Sequence, residues 1–179
     1  MPMPTEMEMS LLFERNNVLL DHFLSEHKEK LKRRLISEEE LKASSDENFE
    51  DMIVEAFVNV YGVAVDWRDY DEDIVSQFGR VIPQEVDVEN TEEGLNVSYD
   101  GENFVIKLSF SPKDRYITVR GFQSIVRERY ELRLFESSYM SDTHVFMILP
   151  KETWADLDRR FPEKVLNVFR KIDDDLDFP

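Results

Sequence analysis

The sequence predicts an α+β domain, and three observations carry that expectation. Apolar residues recur with a helical period of 3.6 through the first third of the chain, switch to a period of 2 after residue 94, and return to 3.6 after Pro150. That order implies N-terminal helices, an antiparallel β-meander of about four to six strands, and C-terminal helices packed on one face. With 179 residues, no internal repeat and no low-complexity linker, one domain over 1–179 is expected.

The elements follow in chain order, beginning with a helical part over about 8–62. Thr5-x-x-Glu8, Ser37-x-x-Glu40 and Ser44-x-x-Glu47 have the form of capping boxes, each ahead of helix-favouring sequence. From about 8 to 35, Leu12, Leu19, Leu20, Phe23, Leu24 and Leu31 mark an apolar face, with EHKEKLKRR as a solvated stripe. From 46 to 61, Phe49, Met52, Ile53, Ala56, Phe57 and Val60 repeat at i, i+3, i+4, i+7, i+8 and i+11, and Gly62 follows as a helix stop. Residues 63–94 read as an acidic connector holding a short helix around Ile74, Val75 and Phe78 and a strand in VIPQEVDVE that Pro83 interrupts at its start.

The sheet is expected over about 95–149. LNVSY and FVIKLSF flank Asp100-Gly101, a two-residue hairpin signal. RYITVRGF (115–122) reads as the next strand after a Ser-Pro-Lys-Asp turn, and RYELRLF (129–135) alternates with Tyr130, Leu132 and Leu134 on one side. THVFMIL (143–149) is apolar nearly throughout, as a strand covered on both faces would be. C-terminal helices over about 151–173 carry Trp154, Leu157 and Phe161, then Val165, Leu166, Phe169 and Ile172 beyond a first-turn Pro162.

The formal net charge is −17 and is unevenly spread. Residues 46–106 hold 17 acidic side chains against Arg68 and Arg80, whereas residues 107–135 hold seven basic and three acidic ones. Such a chain is repelled as a whole by double-stranded nucleic acid and by anionic membranes. The absence of cysteine excludes disulfides, thiolate metal sites and a cysteine nucleophile. The start, MPMPTEMEMS, lacks the basic residues of a signal peptide, so a cytoplasmic protein is expected.

No motif names a reaction or a family. In DWRDYDEDI (66–74), Asp69, Asp71 and Asp73 fit positions 1, 3 and 5 of a calcium loop, but Ile74 occupies the glycine position and Arg80 the closing glutamate position. His22 and His27 are five residues apart, which turns a helix by about 500° and points the rings away from each other. His22 and Glu26 share a face, and two ligands do not make a zinc site. No metal and no cofactor are therefore expected. Glycine-rich phosphate loops and nucleophile elbows are missing, and no residue stands out as catalytic.

Two surfaces carry the functional expectation. Strand alternation would place Lys107, Arg120, Arg129 and Arg133 on one sheet face with Tyr116 beside them, either covered by the acidic region of the same chain, open to a partner, or open to single-stranded nucleic acid. The acidic 46–94 region would face outward to a basic protein partner, with Asp66, Asp69, Asp71, Glu72 and Asp73 as contacts and Trp67 and Tyr70 as aromatic anchors. The expected function is a small acidic protein-binding module, an immunity, inhibitor or chaperone-like protein. The alternatives are a hydrolase using a carboxylate pair in a helix/sheet groove and a homo-oligomeric structural module.

Overall fold

A computed structural model describes residues 3–34, 36–109 and 116–179. The fold is α+β, with two antiparallel sheets in place of one meander. The central sheet has four strands in the order β1 (Val63–Asp66), β6 (Thr143–Pro150), β5 (Tyr130–Phe135), β7 (Phe169–Lys171). A smaller sheet is a local meander of β2 (Val86–Thr91), β3 (Gly94–Tyr99) and β4 (Glu102–Lys107).

Strands β5 and β6 of the central sheet are covered on both faces. Register pairs Leu134 with Phe146 and Leu132 with Ile148 on one face, and Arg133 with Met147 and Glu131 with Leu149 on the other. The first face packs on α5 (Asp71–Gly79), α6 (Ile117–Val126) and the smaller sheet, through Val75, Phe78, Val119, Phe122, Leu95 and Val97. The second packs on α1 (Glu6–Ser10), α2 (Asn17–Arg33), α3 (Glu38–Ala43), α4 (Asp46–Tyr61), α7 (Lys151–Arg160) and α8 (Pro162–Val168), through Phe23, Phe57, Trp154, Leu157 and Val165. The continuous apolar run of THVFMIL is accounted for by this double cover. Among the described residues no helix is long and apolar enough to cross a membrane.

Local chemistry sets the boundaries. Thr5 and Glu8 close a reciprocal capping box on α1, and Ser37 Oγ accepts from Glu40 N–H at α3. The chain then leaves the helix between α1 and α2, where Asn16 caps Val18 and Leu19, so the expected single helix over 8–35 is two. At α4 the cap is Ser45, one residue later than the expected Ser44, whose hydroxyl donates to Leu41 O instead. The β3–β4 hairpin turns on Asp100 (φ 53°) and Gly101 (φ 83°), as its sequence requires.

Two expected elements are corrected. Residues 117–122 of the expected strand belong to helix α6, which buries Thr118, Val119, Phe122 and Val126 at i, i+1, i+4 and i+8. The β-branched residues that suggested a strand lie on a helix face, and Gly121 lets that helix meet β4: a Cβ there would sit 2.7 Å from Ile106 Cγ2. Phe110, the Ser-Pro-Lys-Asp turn and Arg115 lie outside the described residues. At the other end, α8 stops at Val168 because Phe169 is extended (φ −130°, ψ 137°) and pairs with Phe135, ring centroids 4.8 Å apart.

Gly62 joins α4 to β1 with no spare residue. A Cβ at this position would lie 2.4 Å from both Val145 Cγ1 and Val58 O. Gly62→Ala is expected to destabilise the fold by about 1–3 kcal/mol through overpacking, read as a lower urea midpoint with an unchanged m-value.

Candidate functional site

The 66–74 stretch is the end of β1, a turn, and the first turn of α5. Arg68 Nε donates to Asp66 Oδ1 at 2.8 Å and its Nη2 to Oδ2 at 2.9 Å, while Thr143 Oγ1 donates to Oδ2 at 3.2 Å. This guanidinium holds the Asp66 carboxyl well below the usual carboxylate range. Asp69 Oδ2 accepts from Asp66 N–H at 2.9 Å, and Thr118 Oγ1 donates to Asp71 Oδ1. Asp71, Glu72 and Asp73 occupy the first turn of α5, where carboxylates offset the helix dipole. Asp66, Asp69 and Asp71 are half-buried, and each accepts a hydrogen bond from within the chain. Trp67, Tyr70 and Asp73 do reach solvent, Trp67 at 40% and Tyr70 at 72% exposure, with the Arg68 guanidinium 5.6 Å from the Trp67 ring.

The expected basic sheet face does not assemble. Lys107 is exposed on β4 of the smaller sheet, and Arg120 sits on α6, where Nη1 donates to Leu176 O at 3.1 Å. Arg129 precedes β5 and pairs with Asp100 at 2.8 Å. Arg133 alone keeps its expected face, but that face is covered, leaving its side chain 2% exposed. Its guanidinium donates to both Asp158 oxygens at 2.6 and 2.8 Å and to Glu131 Oε1 at 2.7 Å, and lies 4.2 Å from the Trp154 ring centroid. Trp154 Nε1 in turn donates to Glu131 O at 2.8 Å. Phe135, on the same face of β5 as Arg133, is fully buried for the same reason.

Tyr116 is buried beneath the last residues of the chain. Its hydroxyl meets His144 Nδ1, and His144 Nε2 donates to Tyr139 O at 3.0 Å, which fixes the neutral tautomer with the proton on Nε2. Burial holds the His144 pKa below its ordinary value and pushes the Tyr116 phenol up. Phe178 closes over the pair, 4.4 Å from the His144 ring and 5.2 Å from the Tyr116 ring.

A second polar cluster joins α1, α2 and α4. Tyr61 OH donates to Glu8 Oε1 at 2.6 Å, His27 Nε2 lies 2.7 Å from Tyr61 OH and 3.3 Å from Glu8 Oε1, and Thr5 N–H and Oγ1 donate to Glu8 Oε2 at 2.8 Å each. Burial pushes the Glu8 carboxyl up, but donation from Tyr61 and Thr5 outweighs it and the group sits below its ordinary value.

A cleft of about 720 Å³ lies between α4 and α8. Leu12, Val54, Val58 and Val168 form an apolar floor, and Glu50, Asp51 and Glu55 of α4 line the rim with Ser137, Asn167 and Lys164. A neighbouring hollow of about 320 Å³, sharing Leu12, Glu50 and Lys164, extends it past Phe49 and Asp46. Several rim charges are already engaged. Glu136 takes Arg170 in a two-point contact at 2.7 and 2.9 Å, Lys164 Nζ donates to Phe13 O, and Asp46 pairs with Arg15 at 3.1 Å. Asp51 and Glu55 make no ion pair among the described residues, and Glu50 meets only Lys164, at 4.0 Å. None of these groove residues was singled out from sequence as a contact. The available signal was the pair Val54 and Val58, one helical turn apart and outside the main apolar stripe of α4.

Two outcomes are expected from the buried clusters. Asp158→Ala leaves Arg133 with Glu131 alone and should cost about 2–3 kcal/mol in urea unfolding, whereas Arg133→Met with Asp158→Leu should cost less than Asp158→Ala. Above the ordinary histidine value of 6.5, His144 is neutral folded and unfolded, so its contribution is complete. As the pH falls below that value the unfolded chain binds the proton first and stability declines. Between about pH 7 and about pH 5 the wild type should therefore lose more stability than His144→Gln, which starts lower.

No family model, no curated protein and no solved structure matches this chain, so the groove and the buried clusters are read on their own chemistry.

Proposed function

We propose that this chain is a partner-binding module whose α4–α8 groove takes a cationic, amphipathic protein segment. The observation that carries the reading is one juxtaposition: an apolar floor of Leu12, Val54, Val58 and Val168 beneath a rim where Glu50, Asp51 and Glu55 face solvent. An apolar floor supplies affinity, and a predominantly acidic rim selects and steers a basic partner. From Asp46 to Val58 the helix runs about 18 Å, which matches a docked segment of about twelve helical residues. The contact set thereby moves from the 66–73 turn to α4, within the same acidic third of the chain. Arg170 holds Glu136, the groove carboxylate it grips, below its ordinary value, which suits an ion pair rather than a general acid.

The test is titration calorimetry with a synthetic Lys/Leu amphipathic peptide about 14 residues long at low and high salt. The wild type should bind it and lose affinity as salt rises. Glu50→Lys with Asp51→Lys and Glu55→Lys should weaken binding at least about tenfold, as should Val54→Asp. The charge-matched control Glu89→Lys with Glu92→Lys and Glu93→Lys, on the smaller sheet, should not. Equal loss in both triple variants would mean that bulk charge, not the groove, binds the peptide.

A further inference from the structure

The Glu8–His27–Tyr61 cluster has a fourth member that its hydrogen bonds do not use. Glu26, adjacent to His27 on α2, brings a carboxylate oxygen to a point where ligand atoms of Glu8, Glu26 and His27 all lie within 4.8 Å of one another. The sequence placed His22 and Glu26 on one face and stopped at two ligands. The fold adds Glu8 from α1, and with it a third donor.

We propose that Glu8, Glu26 and His27 bind a divalent transition ion, with zinc the best match to one imidazole and two carboxylates. Ligand atoms about 2.1 Å from a tetrahedral zinc stand about 3.4 Å apart. His27 Nε2 and Glu8 Oε1 are already 3.3 Å apart. Glu26 supplies the remaining adjustment, because its side chain is 55% exposed and makes only a 3.6 Å contact with His22. The site is half built from buried groups: the His27 and Glu8 side chains are 9% and 12% exposed. The ion would replace the hydrogen that His27 Nε2 shares with Tyr61 OH at 2.7 Å, while Tyr61 keeps its donation to Glu8 Oε1 and orients that carboxylate from behind, as outer-shell donors do in metal sites. Water would complete the coordination on the Glu26 side, which faces solvent. A mixed nitrogen and oxygen donor set favours zinc or a neighbouring transition ion over magnesium and calcium, which prefer oxygen alone.

Calorimetric titration of the full chain with zinc chloride tests this, read beside the thermal midpoint and cobalt(II) visible absorption. The expected result is one saturable zinc per chain, a raised midpoint, and a cobalt d–d band, none of which magnesium reproduces. Glu26→Gln removes an exposed carboxylate, so it should leave the metal-free midpoint unchanged while weakening zinc at least about tenfold. His27→Gln should abolish zinc binding and the cobalt band; if that variant does not fold, Glu26→Gln decides alone. No saturable zinc, or zinc held with undiminished affinity by either variant, would overturn the proposal. Retention by His27→Gln would place the ion on His22 and Glu26 or diffusely on the acidic surface.

Discussion

Burial of β5 and β6 on both faces is the constraint from which the rest of the structure follows. Side chains alternate across a strand, so half of each strand must find cover on either side. Leu132, Leu134, Phe146 and Ile148 are met by α5, α6 and the smaller sheet, and Phe135, Met147 and Leu149 by the helical layer. Arg133 falls on the helical side as well. Stripping a guanidinium of water costs several kcal/mol. Asp158 and Glu131 offset that cost as direct acceptors, and the Trp154 ring covers the cation's flat face. The cluster also locks α7 to the sheet at one register.

The large negative charge is divided between the interior economy of the fold and its surface. Asp66, Asp158 and Glu136 hold a cation, Asp69 closes a turn, and Asp71 accepts from the Thr118 hydroxyl. Glu50, Asp51 and Glu55 on α4, and Asp87, Glu89, Glu92 and Glu93 on the smaller sheet, face water. The α4 set borders an apolar floor, and the proposed docking rests on that pairing.

The fold was legible where one period dominated. The apolar stripe of α4, the Asp100-Gly101 hairpin and the double-covered run of β6 all emerge from spacing alone. RYITVRGF was misread because Ile117, Thr118 and Val119 favour strands locally, while tertiary packing on Ile106 and the central sheet selects a helix. The face of Arg133 followed from alternation, but whether that face is open depends on α7, which no residue of β5 reveals. The groove and the Glu8 cluster were illegible for another reason: each joins segments distant in sequence, Leu12 with Val168 and Glu8 with Tyr61.

The joint at Gly62 bears on how the groove can respond to an occupant. It has no slack, because its Cα lies against Val145 of the central sheet and the carbonyl of Val58. The α4 side is therefore a fixed jaw, anchored through β1 to the middle of the molecule. The opposing jaw, α8, is a seven-residue helix that buries only Val165 and enters through an irregular Phe161 (φ −134°, ψ 50°). Under the proposed docking, widening of the cleft would fall to α8, with the charged wall fixed and the opposite wall yielding to the girth of the segment.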